Sequence, residues 1–106
     1  MSEPQIKNRI KRMDYVRAGD VLVNEKNFRV HPESQKRAFR ALQSAVGNVS
    51  ALLVYERSDG KLKLIDGEMR LKEAKSPDQK FPALILDLSD EEADQILATF
   101  DPLSDL

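Results

Sequence analysis

Apolar residues recur with a period of two, or form short unbroken runs, in several stretches of the chain, and this pattern predicts β-strands. The stretches are 51–57, 61–65, 81–88 and two short pieces within 14–23. Ser58-Asp59-Gly60 lies between the first two and predicts a hairpin turn, because glycine accepts the positive φ that such turns need. Val21-Leu22-Val23 are expected to enter the core.

Spacings of three and four residues predict helices over 33–46 and about 68–75, and a third helix after Ser89. In the first helix, Phe39, Leu42 and Val46 form an apolar stripe that we expect to be core, and Gly47 ends the helix. Ser89 and Glu92 have the spacing of a capping box, in which each side chain bonds the other residue's backbone amide.

The predicted strand 61–65 runs through Gly67 directly into the second helix. A strand-glycine-helix junction leaves the amides of the first helical turn unpaired and pointing outward, which favours a bound anion. Arg70 lies in that first turn and offers a guanidinium fork for a phosphate. The alternative is an ordinary strand-to-helix corner with a surface arginine.

A polar loop over 24–32 alternates Asn27, Arg29 and His31. Loops at the edge of a scaffold often hold binding residues, so these side chains are candidate ligand contacts. His31 has a second interpretation as the residue that enters the next helix, because Pro32 suits a first helical turn.

The composition narrows the class of protein. The chain has 106 residues, of which 41% are hydrophobic and 33% are charged, which is typical of one globular domain. It has no cysteine and one histidine, which excludes disulfides and argues against a multi-histidine metal site. No apolar run approaches the roughly 18 residues of a membrane span, so we expect a cytoplasmic protein with no membrane partner.

The formal net charge of −1 conceals an asymmetry between the two ends. Residues 1–17 hold five lysines and arginines against two acids, whereas 87–106 hold seven acids and no basic residue. We therefore predict a basic flexible arm at 1–13, able to touch phosphates, followed by a single domain at 14–106. The chain stops soon after Asp101-Pro102, which suggests a fragment or relative of a longer protein.

Three segments resemble the amino-terminal domain of the ParB family over roughly 15–103. Gly67-Glu68-Met69-Arg70-Leu71-Lys72-Glu73-Ala74 is similar to the family's Gly-Glu-Arg-Arg-x-x-Ala box. Asn27-Phe28-Arg29 is similar to its Asn-Pro-Arg box, and 81–92 to its Val-Pro-Val-x-x-x-Asp-Leu-Ser-Asp-Glu-Glu segment. The resemblance implies the α+β fold called ParB/sulfiredoxin-like, a small mixed β-sheet with about three packed helices.

The resemblance also implies a function and a site. The family binds nucleotides, so cytidine triphosphate (CTP) or another nucleoside triphosphate with magnesium is the expected cofactor. Its phosphates would lie against Gly67, Glu68, Met69 and Arg70, with the loop residues Asn27, Arg29 and His31 reaching them. Met69 replaces the first arginine of the box, and Asp101 is the one residue that resembles a metal ligand of the family's third motif.

The expected context is a DNA-associated partition, phage or plasmid protein, with DNA as a partner through the basic arm and a homodimer as an expected assembly. An enzyme, either a nuclease or a nucleotide-hydrolysing or phosphotransfer enzyme, would use Glu68 and Glu25 as acids. A module without ligand that binds protein or DNA is the third hypothesis. Sulfiredoxin activity is excluded, because that activity needs a cysteine.

Overall fold

A computed structural model of the chain describes residues 5–23 and 32–99. In these ranges it contains a five-stranded mixed sheet and three α-helices. The elements are β1 (Ile10–Arg17), β2 (Val21–Leu22), α1 (Glu33–Ala45), β3 (Leu52–Glu56), β4 (Leu62–Asp66), α2 (Glu68–Lys72), β5 (Lys80–Leu86) and α3 (Asp90–Thr99). The predicted α+β class is confirmed. The ends of the other predicted elements differ by at most three residues, but β1 begins four residues before the predicted strand region 14–23.

The strands lie in the order β1-β5-β3-β4-β2. The β3–β4 hairpin is antiparallel, as predicted, while β5 joins β3 in parallel and pairs with β1 in antiparallel orientation. Side chains alternate between the two faces of a strand, so β3 places Leu52 and Val54 on one face and Leu53 and Tyr55 on the other. Both faces of this central strand are therefore covered.

Each face of the sheet has its own apolar cluster. One consists of buried residues against which Leu71 and Ala74, in and just after α2, pack: Val16, Val21, Leu52, Val54, Leu64, Phe81, Ala83 and Ile85. The other joins the sheet to α3 and contains Tyr55, Ile65, Ala93 and Leu97. Two helices thus hold the hairpin and its outgoing corner in place from opposite sides.

The predicted capping box at the start of α3 is confirmed. The Glu92 amide donates to Ser89 Oγ at 3.1 Å, and the Ser89 amide donates to Glu92 Oε1 at 3.0 Å. Arg9 donates to both carboxylate oxygens of Glu92 at 2.8 Å. This fork, together with the amide of Ser89, lowers the pKa of Glu92 to about 2.

The structure corrects the interpretation of α1. Leu42 and Val46, predicted to be core, are 48% and 64% exposed, and Phe39 is only partly buried. The periodicity showed that the helix has an apolar face, but not that another element covers it. Gly47 does end the helix with a φ of +99°, as expected.

Two further expectations change at the amino-terminal end. Val21 is buried, but Leu22 and Val23 are 36% and 42% exposed, because β2 lies at the edge of the sheet. Strand β1 begins at Ile10, so residues 10–13 of the predicted flexible arm belong to the sheet.

The cations near the amino terminus form ion pairs with this chain's own carboxylates. The pairs join Arg9 to Glu92, Lys11 and Arg12 to Glu56, Arg12 to Asp14, and Arg17 to Asp20 and Asp78. Of the five basic residues that made this end positive, Lys7 is the one without an ion pair in the described ranges.

None of the described helices combines the length and the apolar composition that crossing a membrane requires.

Candidate functional site

Gly67 forms the corner between β4 and α2, and its backbone conformation requires glycine. Its φ is +108° and its ψ is 21°, in the left-handed region that other residues rarely adopt. A Cβ on this residue would lie 2.6 Å from Leu52 Cδ2 and 3.4 Å from Leu52 Cα. Because Leu52 is fully buried, it has little room to retreat. The predicted tight corner is therefore present, and it is closed from beneath by the core.

The guanidinium of Arg70 lies over this glycine. Its Nη1 is 3.4 Å from the position that a Cβ on Gly67 would take. The side chain is partly buried, yet it forms no hydrogen bond or ion pair with any residue in the described part of the chain. Arg9 and Arg57, which are also partly buried, pair with Glu92 and Asp59. Arg70 therefore keeps a positive charge that the described carboxylates do not neutralise.

The amides of the first turn of α2 have no side-chain acceptor among the described residues. The residue that precedes the helix is glycine, so it has no side chain that could cap these amides. The helix is short, five residues, so its dipole adds little, and the amides and Arg70 are the main positive groups at the corner. This arrangement is suited to an anion.

Glu68 is bound to a neighbour one turn along the helix. Its side chain is 10% exposed, and its Oε1 lies 2.7 Å from Lys72 Nζ. Oε1 is buried and forms no hydrogen bond, so among the described residues its partner is the Lys72 ammonium. A Glu-Lys pair at i and i+4 is readable from the sequence. We infer that the pair neutralises Glu68, which would otherwise repel an anion at the corner.

Helix α2 is fixed to the rest of the domain at its far end. Leu71 and Ala74 pack into the core cluster. Glu73 receives two hydrogen bonds from Arg40 of α1, at 2.7 and 3.0 Å, and this fork lowers the pKa of the Glu73 carboxyl. Nothing in the sequence marks this contact between α1 and α2, because the two residues are far apart along the chain.

Four of the predicted site residues lie together at this corner, which follows from their being consecutive: Gly67, Glu68, Met69 and Arg70. Met69 is partly buried, and its carbonyl accepts the Glu73 amide at 3.1 Å. The other candidates fall outside the described residues: Glu25, Asn27, Arg29, His31 and Asp101. Their roles stay predictions.

The described residues fit a phosphate better than a metal ion. No group of three or more histidine, cysteine or acidic residues in the described ranges is placed to hold a metal. Magnesium prefers carboxylate, phosphate and water oxygens, and Glu68, the carboxylate within 67–70, is already bound to Lys72. Magnesium at this corner would therefore rest mainly on the phosphates themselves and on residues outside the described ranges.

No family model matches the sequence, and no curated protein does. Among solved structures, the C-terminally truncated chromosome-partitioning protein ParB of Caulobacter crescentus, complexed with CTP-γ-S, matches 83% of this chain with a TM-score of 0.64 and 17% identity. The same protein complexed to the centromeric parS site matches 78% of it, with a TM-score of 0.52 and 18% identity. The chain spans about half the length of these structures, 51% and 43%. The fold predicted from the three sequence segments is confirmed, and the chain is a domain with the ParB-like fold.

Proposed function

We propose that this domain binds the phosphates of a nucleotide at the Gly67–Arg70 corner, as part of a DNA-associated protein of the partition, phage or plasmid kind. The observation that carries the proposal is the Arg70 guanidinium, which is partly buried and has no carboxylate partner among the described residues. A phosphate would neutralise it and would also accept the free amides of the first turn of α2.

Gly67 contributes by what it lacks. Without a Cβ, its backbone can pass close to the buried Leu52 and turn directly into α2, which places the first-turn amides and Arg70 at the same corner. Met69, which stands where the family's box has an arginine, cannot donate to a phosphate. We therefore expect fewer phosphate contacts here than in proteins with both arginines, and a correspondingly greater dependence on Arg70 and on the loop residues Asn27, Arg29 and His31.

The nucleotide is best sought among the triphosphates, beginning with CTP. A ParB of the same fold was solved with CTP-γ-S, which makes CTP the first ligand to try. The corner itself would contact the phosphates of the nucleotide and not its base. Discrimination between CTP, UTP, ATP and GTP therefore belongs to residues other than 67–70, and the proposal requires only that at least one triphosphate binds.

Calorimetric titration with the four nucleoside triphosphates, with and without magnesium, tests this proposal. Arg70→Ala removes a charged hydrogen-bond donor, which contributes about 1.5–3 kcal/mol, so we expect roughly ten- to hundredfold weaker binding. Arg57→Ala is the matched control, because Arg57 is also partly buried but lies beyond the far end of the β3–β4 hairpin. Absence of heat from every nucleotide, or equal affinities for both variants, would contradict the proposal.

We propose association with DNA as a second function, since a ParB of this fold was also solved with its parS site. The predicted basic arm is poorly suited to bind DNA phosphates, because its cations Arg9, Lys11 and Arg12 already pair with Glu92 and Glu56. Gel-shift titration at increasing salt, with residues 1–8 deleted so that β1 stays whole, tests the arm. Binding that survives the deletion would remove residues 1–8 from the proposal.

The enzymatic alternative has no comparable support. Glu68, its main candidate acid, is engaged by Lys72, and its predicted companion Glu25 lies outside the described residues. Conversion of Glu68 to a working general base would first require the ion pair to break.

A further inference from the structure

Strand β1 forms one edge of the sheet and is unusually open. It is eight residues long, whereas the strand at the other edge, β2, has two. Every residue of β1 except Val16 is exposed, and Met13 and Tyr15 are 57% and 62% exposed. An edge strand presents a row of unpaired backbone groups to which another strand can add.

The hydrogen bonds show which backbone groups point away from the sheet. The Ala18 amide donates to the Gln79 carbonyl at 2.9 Å, two residues beyond Val16 in the register with β5. The Tyr15 amide instead donates a hydrogen bond to the side-chain carboxylate of the preceding residue, Asp14, at 2.8 Å. Because the inward and outward amides of a strand in an antiparallel pair alternate, those of Met13 and Tyr15 face the free edge.

The sequence of this edge complements itself. If two copies of β1 pair in antiparallel orientation with Met13 opposite Met13, Arg12 of each copy stands opposite Asp14 of the other. The charges that usually keep an edge from pairing are here of mixed sign and match in this register. The bulge at Lys11, between Ile10 and Arg12, limits the matched ladder to a short segment around Met13.

Side chains next to this edge also favour a second copy. The register places Met13 opposite Leu84 and Tyr15 opposite Pro82, so these four side chains share a face of the sheet. Leu84 and Pro82 are only partly buried, although α3 covers the same face farther along, at Tyr55 and Leu97. A second β1 would extend this apolar strip across the interface.

We propose that two copies of this chain associate through β1, in antiparallel orientation centred on Met13, and form one continuous sheet. The Tyr15 amide then exchanges the Asp14 carboxylate for a backbone carbonyl of the second copy. Asp14, released from that bond, meets Arg12 of the second copy. The loose, exposed contact between Arg12 and Asp14 of one chain, at 3.7 Å, is thereby exchanged for the same contact between the two copies. The interface lies at the opposite side of β5 from β3 and β4, so it does not depend on the Gly67 corner or on nucleotide binding.

Exchange of the charges at Arg12 and Asp14 is the sharpest test. Analytical ultracentrifugation measures the mass and so distinguishes monomer from dimer. The wild type should pass from 12.0 kDa towards twice that mass as its concentration increases. Asp14→Arg alone, and Arg12→Asp alone, place like charges opposite each other twice in each dimer, so both should stay monomeric. A mixture of the two variants restores both opposite-charge contacts and should form a heterodimer.

Asp94→Arg, an equal change of charge on an exposed residue of α3, is the control and should dimerise like the wild type. Circular dichroism establishes that each variant is folded. A wild type that stays monomeric at millimolar concentration overturns the proposal, and so does a dimer that Asp14→Arg leaves intact or a mixture that stays monomeric.

Crosslinking gives a second, independent measurement, because the chain has no cysteine. Residues that face each other in a hydrogen-bonded antiparallel pair have Cα atoms about 5.5 Å apart, within the span of a disulfide. Under mild oxidation, Met13→Cys should form a disulfide-linked dimer much faster than Val46→Cys, which alters a residue of similar exposure next to α1. Equal rates for the two variants would overturn the proposed register.

Discussion

Substitution of Gly67 by alanine should destabilise the domain by two separable effects. A left-handed residue with a Cβ costs roughly 1–2 kcal/mol in backbone strain. The new Cβ would also lie 2.6 Å from Leu52 Cδ2, and overpacking of a filled core costs about 1–3 kcal/mol. Together these give a loss of roughly 2–5 kcal/mol in the free energy of unfolding, a large share of the roughly 5–15 kcal/mol that domains have.

A second glycine of the same chain separates the two effects. Gly47 has a similar φ, +99°, but a Cβ there would meet nothing within 4 Å. Gly47→Ala should therefore show the backbone strain alone, and the gain from a less flexible unfolded chain is common to both variants. Urea unfolding followed by circular dichroism measures the difference, which we expect to be about 1–3 kcal/mol.

The contact with Leu52 can be tested directly by a double-mutant cycle. Leu52→Val removes the δ-carbons, so Gly67→Ala should cost less in that background than in the wild type. Equal losses for Gly67→Ala and Gly47→Ala, or strict additivity of Gly67→Ala with Leu52→Val, would refute the claim that the core closes this corner.

Two further predictions concern pH. Burial and a 3.1 Å hydrogen bond to Asp90 raise the pKa of Tyr55 to about 12, so the unfolded chain loses this proton first, and stability should fall by roughly 2–3 kcal/mol between pH 10 and 12; urea unfolding of Tyr55→Phe should lack this fall. The pKa of Glu92, lowered to about 2 by Arg9 and Ser89, gives a contribution that is present above about pH 4.5 and lost as the pH falls towards 2. The stabilities of Glu92→Gln and the wild type should therefore converge in acid, and a constant difference from pH 7 to pH 2 would exclude the proposed ion pair.

Local sequence signals predicted the parts of the fold that depend on neighbours in the chain. The β3–β4 hairpin follows from alternation around Ser58-Asp59-Gly60, and the start of α3 from the spacing of Ser89 and Glu92, because these contacts lie within a few residues. Strand β1 could not be recognised over its full length. Only Val16 of its eight residues is buried, so it has no apolar alternation, and it forms because β5 offers a partner.

The exposed apolar face of α1 shows a second limit of prediction from the sequence. Leu42 and Val46 have the spacing of a core helix, but periodicity reveals the preference of a face and not the presence of a neighbour. The contact that does tie α1 to the candidate site is polar, between Arg40 and Glu73. Hydrogen bonds between residues so distant in sequence leave no pattern in a single chain.

At the candidate site, the sequence identified the correct corner but not what makes it able to bind. The glycine and the arginine could be found from their spacing. Their significance depends on how the fold uses charge, since the chain has nearly equal numbers of acids and bases. Most described arginines are neutralised by their own domain, including Arg9 and Arg17 in the stretch that looked like a free basic arm. Arg70 keeps its charge because no described carboxylate pairs with it, and Glu68, the acid nearest in sequence, does not face it on the helix and is bound to Lys72. Lys72→Ala should thus leave the Glu68 carboxylate without its counter-charge beside the corner, where it repels an anion, and weaken triphosphate binding, although Lys72 itself need not touch the ligand. Glu68→Gln in the same background should restore binding, and failure of that rescue would show that Lys72 acts on the ligand directly.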